Sequence, residues 1–255
     1  MSGVRARVRA ELTAEIKAIA RRQMADDGPA NVNLRAIARE LGMVSSAVYR
    51  YFASRDELLT ALIVDAYNDL GDVSERADAS VADERPDDVE ARFLAVAHAT
   101  YEWARTEPSQ YLLLFGTPVP GYAAPDDTVV PAARFTTVML HILDEAARQG
   151  ATPAVEPNVP ATASADLDRV REMTATTAPD PIMIAGMQVW TGLFGAISFI
   201  LNGQFRNVIT DVDALFAEFA RLLSRQVFHP GPRPARRREP AGRSVRRADI
   251  ERRGC

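Results

Sequence analysis

Between Asn33 and Arg55 the chain gathers side chains suited to gripping nucleic acid: Arg35, Ser45, Ser46, Ala47, Tyr49, Arg50, Tyr51 and Arg55. A guanidinium presents a planar fork of donors that matches guanine O6 and N7, and hydroxyl and methyl groups suit other base edges. Such groups act only if something holds them outward, and the apolar residues between them form the holder. Leu34, Ile37, Ala38 and Leu41 recur at helical spacing as one stripe. Asn33 precedes them as an N-cap, with a side-chain oxygen that accepts from free backbone N–H groups. Gly42 follows, where a helix end needs positive φ. After the turn, Val48 and Phe52 sit four apart and face a core. Ser45, Ser46, Tyr49 and Arg50 are then left outside, and Arg35 points away from the first stripe. This is the layout of a helix-turn-helix, whose short second helix enters the major groove by its N-terminal end.

The continuation Tyr49-Arg50-Tyr51-Phe52-Ala53-Ser54-Arg55-Asp56-Glu57-Leu58-Leu59 is more specific. It resembles the TetR family of transcriptional regulators, whose phrase runs Thr-x-x-x-Ile-Ala, Gly-Val-Ser-x-Gly and Tyr-x-His-Phe-x-Ser-Lys-x-x-Leu. Asn33 stands for the Thr, and Ile37, Ala38, Gly42, Tyr49, Phe52, Ser54 and Leu59 are in register. The chain departs at Val44 for the Ser, Ser46 for the Gly, Tyr51 for the His and Arg55 for the Lys. Val44 removes the usual cap of the recognition helix, and Ser45 is expected to shift into that role. The resemblance implies that Tyr49, Tyr51 and Arg55 contact phosphate, that Arg35 reaches a base or phosphate, and that Arg50 goes to base or backbone. Asn33, Ser45, Ser46 and Ala47 complete the expected DNA-binding set. The alternative for any one of them is ordinary solvated surface.

Charge is divided unevenly. Residues 1–60 carry a net +3, residues 61–228 a net −13 and residues 229–255 a net +6. A positive head on a negative body suits a protein that meets phosphates with one end. The single cysteine, Cys255, excludes a disulfide framework and a cysteine-based metal site. His98 and His141 lack metal-ligand spacing. No nucleotide or hydrolase fingerprint occurs, so neither cofactor, metal nor catalytic residue is expected. No uninterrupted apolar run of membrane length occurs, apart from a polar-interrupted stretch near 182–205, and the N-terminus is no signal peptide. The expectation is a cytoplasmic protein that does not engage a membrane.

The periodicity predicts an all-α fold. Residues 1–53 form a three-helix head with a basic arm at Arg5, Arg7 and Arg9. Residues 54–228 form a larger helical body for ligand binding and dimerisation, and residues 229–255 an Arg-rich disordered tail. A loop is expected over 78–88, and a mobile loop with at most one short helix over 151–179. No strand pattern appears. The stretch around Trp190 is similar to the C-terminal domain of a TetR subfamily with a Trp-His-Gly-like signature, with Thr191 in place of the His.

Within the body, Met187, Trp190 and Phe194 at helical spacing, with Tyr101 opposite, are the candidate lining of a ligand pocket, against the alternative of plain core. Gly192, Ala196, Leu215, Phe216 and Phe219 are expected at a homodimer interface built from the last two helices. The function implied is a repressor that binds a palindromic double-stranded operator as a dimer and is released by a small, largely apolar effector. The alternatives are a helical enzyme or adaptor that retains a helix-turn-helix, or a constitutive DNA-binding regulator.

Overall fold

The structure, a computed structural model, describes residues 2–230. The Arg-rich run from residue 231 on, with Cys255, lies outside the described residues. Ten α-helices occupy most of them: α1 (Ser2–Asp27), α2 (Leu34–Glu40), α3 (Ser45–Val48), α4 (Arg55–Ala82), α5 (Val89–Thr106), α6 (Pro108–Phe115), α7 (Val129–Arg148), α8 (Ala161–Thr174), α9 (Asp180–Leu201) and α10 (Val212–Val227). The fold is all-α as expected. One small addition is a two-residue antiparallel ladder, β1 (Ala151–Thr152) against β2 (His229–Pro230), so residues 229 and 230 belong to the body and not to the tail.

Apolar side chains close into two cores. The head core joins Ile16, Ile19, Ala20 and Met24 of α1 to Leu34, Ile37 and Ala38 of α2, Val48, Phe52, and Leu58, Leu59 and Leu62 of α4. The body core begins with Ala66 and Leu70 of the same α4 and continues through α5, α6, α7, α9 and α10. The two cores therefore meet inside α4, between Leu62 and Ala66, and not at residue 53. Ser54 starts this helix by accepting from the Glu57 N–H, and the Glu57 carboxylate accepts in return from the Ala53 N–H at 2.5 Å. Reciprocal bonds of this kind satisfy donors that a helix start leaves open.

Three expectations about extent change. The basic arm is not separate: helix α1 begins at Ser2, and Arg7 pairs with Glu11 one turn on. Helix α4 runs to Ala82, because Asp78, taken for loop, receives the Arg92 guanidinium at 2.8 and 3.0 Å. The stretch 151–179 holds the 14-residue α8, which buries only Leu167. Asp180 ties that helix to the start of α9 by accepting from Ser164 and Arg171.

Helix α9 is long and apolar enough to cross a membrane by length and composition, with a mean hydropathy of 1.6. One of its faces, with Met183, Val189, Leu193 and Ile197, is packed in the body core. Met187, Trp190 and Phe199 of the same helix are exposed at separate places around it. Helix α10 lies close against it: a Cβ on Gly192 would come within 2.6 Å of Leu223 Cδ2.

Phe216, expected at a dimer interface, is wholly buried in the body core, where its ring stacks on Tyr101 at 4.0 Å. The apolar stripe of α10 is wide enough to face two ways, and Phe216 faces inward. Phe216→Ala should therefore cost about 3–5 kcal/mol of stability, as large-to-small changes in cores do. Urea unfolding of the variant measures this, and a loss below about 1 kcal/mol would contradict the burial.

Candidate nucleic-acid interface

The interface is built on α2 and α3. Asn33 Oδ1 accepts from the N–H groups of Arg35 and Ala36, so Asn33 serves as the cap of α2. The helix ends with Gly42 at φ 66°, where the Gly42 N–H donates to Arg39 O at 3.1 Å and the Met43 N–H to Ala38 O at 2.8 Å. This pair of bonds closes a helix around a left-handed residue. Helix α3 is a single turn, prolonged by Tyr49 N–H to Ser45 O and Phe52 N–H to Val48 O, both at 3.2 Å. Val48 is fully buried and pins it to the head. The expected shift of the cap to Ser45 does not occur. Val44 is the N-cap with no side-chain bond, and Ser45 is already helical.

Arg35, Ser46, Tyr49 and Arg50 are exposed together on this face, with Ser45 and Ala47 half-buried beside them. Arg35, Arg39 and Arg50 make no ion pair among the described residues. Tyr51 is half-buried against the head core. Arg55 is engaged within the head itself. Its guanidinium donates to Ala30 O at 2.9 Å and Pro29 O at 3.4 Å, closing the turn between α1 and α2. A phosphate contact by Arg55 would compete with those bonds.

Arg9 is a structural element of this face that the sequence pattern does not reveal. Arg9 Nη2 donates to the Arg50 carbonyl at 3.3 Å, and its guanidinium lies 5.1 Å from the Tyr51 ring centroid. A cation over an aromatic face is attracted by the ring quadrupole. Arg9 thus couples the start of α1 to the end of α3. Only its basic character was visible in sequence, because its partners are about forty residues away.

Of the expected ligand-pocket residues, Met187, Trp190 and Phe194 lie together along α9, and Tyr101 packs elsewhere. Met187 and Trp190 border a cavity of about 70 Å³ between α7, α8 and α9. Tyr101 is not opposite them: it packs on Phe216, and its hydroxyl donates to Asp213 at 2.7 Å. Burial, then that carboxylate, push its phenol well above the usual tyrosine range. Phe194 turns away to Tyr111, Phe115 and Phe135, with Trp190 edge-on at 6.2 Å. A larger cleft, about 610 Å³, opens between α4, α6, the segment 116–125 and α7. A third, apolar groove of about 330 Å³ lies between α9 and α10, lined by Gly192, Gly195, Ala196, Phe199, Phe219 and Leu222 among others. Leu215 and Phe219 are half-buried on α10.

Residues 16–62 match the model of a family described as bacterial regulatory proteins, tetR family, and residues 93–223 match that of a tetracyclin repressor-like C-terminal domain. The chain is 42% identical over 224 residues to HTH-type transcriptional regulators of Mycobacterium tuberculosis and Mycobacterium bovis, spanning 87% of this chain and 94% of each relative. It superposes on the crystal structure of the regulatory protein SCO4313 with a TM-score of 0.69 and 37% identity, over 85% of this chain and 97% of that one. A Rhodococcus protein of unknown function shares the fold, with a TM-score of 0.63 at 21% identity over 86% and 96% of the two chains.

The geometry of Arg55 sets an expectation for its removal. Arg55→Ala should destabilise the head by about 1.5–3 kcal/mol, since hydrogen bonds to charged groups contribute on that scale. Thermal unfolding of the DNA-free protein reads this directly. An unchanged midpoint, with DNA affinity lost, would return Arg55 to the phosphate-binding set.

Proposed function

The chain belongs to the TetR family and is a transcriptional regulator with a helix-turn-helix DNA-binding domain, and from that premise we propose that it represses transcription as a homodimer on a palindromic operator, released by a small effector. The observation that carries the DNA-reading assignment is the shared exposure of Arg35, Ser46, Tyr49 and Arg50 around the single-turn α3, while Val48 and Phe52 hold that turn in the core. Phosphate contacts set register and base contacts set specificity. Arg35 is assigned to a base edge, and Tyr49 to the backbone of the DNA.

A dimer is supported by the unpartnered apolar face of α9 and α10. Phe199 is 55% exposed and Leu222 47% exposed, beside the groove that contains Gly192, Gly195 and Ala196. Gly195 has no atom within 4 Å of where its Cβ would be, so a second backbone can approach there. Large contiguous apolar surface on a protein marks an interaction site. A two-fold dimer presents two copies of α3, which requires an operator with matching two-fold symmetry and half-sites about 34 Å apart or a multiple of that.

Effector control is supported by cavities in a body that shares α4 with the head. A ligand that prefers one arrangement of α4 shifts the separation of the two α3 copies, and the coupling is reciprocal.

Footprinting on the DNA that flanks its own gene tests the operator reading. Arg35→Ala should weaken operator binding by about 1–3 kcal/mol and relax preference at one base pair per half-site. Equal loss on operator and random DNA would make Arg35 a phosphate contact. Leu222→Glu should leave a folded monomer in sedimentation at micromolar concentration, with operator affinity reduced. An unchanged mass would remove α10 from the interface.

A further inference from the structure

Residues 3–11 of α1 are all exposed, and the first fully buried side chain of the helix is Ile16. The start of α1 therefore projects beyond the core that holds the rest of it. Arg7 pairs with Glu11 and the Thr13 hydroxyl donates to Arg9 O, both within the helix. Among the described residues, Arg9 is the one member of 3–15 whose side chain forms a hydrogen bond or ion pair outside α1. It lies about two turns beyond Ile16. Its guanidinium donates to the Arg50 carbonyl at 3.3 Å and sits 5.1 Å from the Tyr51 ring centroid.

That contact falls where the reading surface has least support of its own. Helix α3 has one turn, no side-chain cap and one fully buried residue, Val48. Carbonyls at a helix end have no partner within the helix. Those of Ser45, Ala47 and Val48 accept from backbone N–H groups. The Arg50 carbonyl accepts from Arg9, its one donor among the described residues. Tyr51 supplies the second hold, since the quadrupole of its ring attracts the cation. Its ring is packed against the head core, so the seat under Arg9 is fixed. Arg9 thus grips the peptide that links Arg50 to Tyr51, directly after the exposed Tyr49. Tyr51 stands where the family phrase has a histidine, so this seat belongs to the chain and not to the phrase.

Resting on the assignment of α3 to operator reading above, we propose that Arg9 is a positioning residue for operator recognition. It fixes the Arg50–Tyr51 peptide, and through it the direction in which Tyr49 and Arg50 leave α3. Its effect on recognition runs through that peptide and not through a bond to phosphate. Hydrogen bonds to base edges depend on direction, whereas attraction to phosphates is independent of sequence. Loss of Arg9 therefore reduces the preference for operator over other DNA, where loss of a phosphate contact reduces binding to both alike.

The test titrates full-length parent and Arg9→Ala protein into two fluorescein-labelled duplexes, one with the footprinted operator and one with its shuffled sequence, at several salt concentrations. Arg9→Ala should lower operator affinity about tenfold, from the loss of one charged hydrogen bond and one cation–π contact. Affinity for the shuffled duplex should stay within about twofold, with the salt slope unchanged. Equal loss on both duplexes, with a slope shallower by about 0.9, would make Arg9 a phosphate contact and overturn the proposal. Hydrogen–deuterium exchange without DNA reads α3 directly. The amides of residues 49–52 should exchange several-fold faster in Arg9→Ala, with those of α2 and α4 unchanged. Faster exchange throughout the head would make Arg9 a general brace, which also overturns the proposal. Tyr51→Leu keeps apolar packing and removes the ring, and a double-mutant cycle with Arg9→Ala cancels what each residue does alone. In the Tyr51→Leu background, Arg9→Ala should lower operator affinity by less than about threefold, and an undiminished tenfold loss would show that the ring is not the seat. A parent chain with no preference for its operator would remove the operator-reading assignment, and this proposal with it. A parent with that preference, left intact by Arg9→Ala, would remove the proposal alone.

Discussion

One continuous helix forms part of the wall of both hydrophobic cores, and most of the architecture depends on that sharing. Leu58, Leu59 and Leu62 of α4 close the head, and Ala66 and Leu70 open the body. Burying a leucine side chain contributes about 1.5–3 kcal/mol, so neither core can part from α4 without losing several such terms. Ion pairs secure the helix along its length. Lys17 and Arg21 of α1 hold Asp65 at 2.9 and 2.8 Å, and Arg134 of α7 reaches Asp72 and Glu75. At Gly71 the absent side chain makes room for that Arg134, which a Cβ would meet at 2.8 Å. Body and head are therefore joined by one continuous helix and not by a separate linker.

The DNA-facing surface is held by shorter connections. Helix α3 has one turn, no side-chain cap and one fully buried residue, Val48. Its stability is borrowed from the α2 turn at Gly42 and from Arg9, whose reach from α1 steadies the far end through the Arg50 carbonyl. Arg55 and Arg22 do related work around it, one closing the α1–α2 turn and the other pairing with Glu40. Several of the head's arginines thus act as fasteners, while Arg35, Arg39 and Arg50 present their charge outward.

Local signals are legible in the sequence because their physics is local. Asn33, Ser54 and Gly42 sit at helix ends that their own neighbours define, and α5 begins at Val89 and ends at Thr106 as periodicity and Pro108 require. What failed depended on partners distant in the chain. Periodicity assigns Phe216 and Tyr101 to apolar faces, but it does not say that those faces meet each other and not a second copy or a ligand. Asp78 reads as loop until Arg92 is known to lie against it. Arg55 matched a family position in type and register, yet the carbonyls of Pro29 and Ala30 that engage it carry no sequence signal at all. The larger cleft of the body was invisible for the same reason, since its walls come from four separate segments.

Helix α9 has a consequence for how the protein is made. A segment with the hydropathy of a membrane span lies near the C-terminal end of the described chain and leaves the ribosome after most of the body. Until α10 follows, little covers the groove at Gly192, and its outer face keeps Phe199 exposed even in the finished fold. Surface of that kind is what chaperones and proteases recognise on incompletely assembled chains. If the outer face is covered only by a second copy, the survival of newly made protein depends on its own abundance, as mass action dictates for subunits stabilised by pairing. A cell would then hold a threshold of synthesis, below which this regulator is cleared faster than it accumulates.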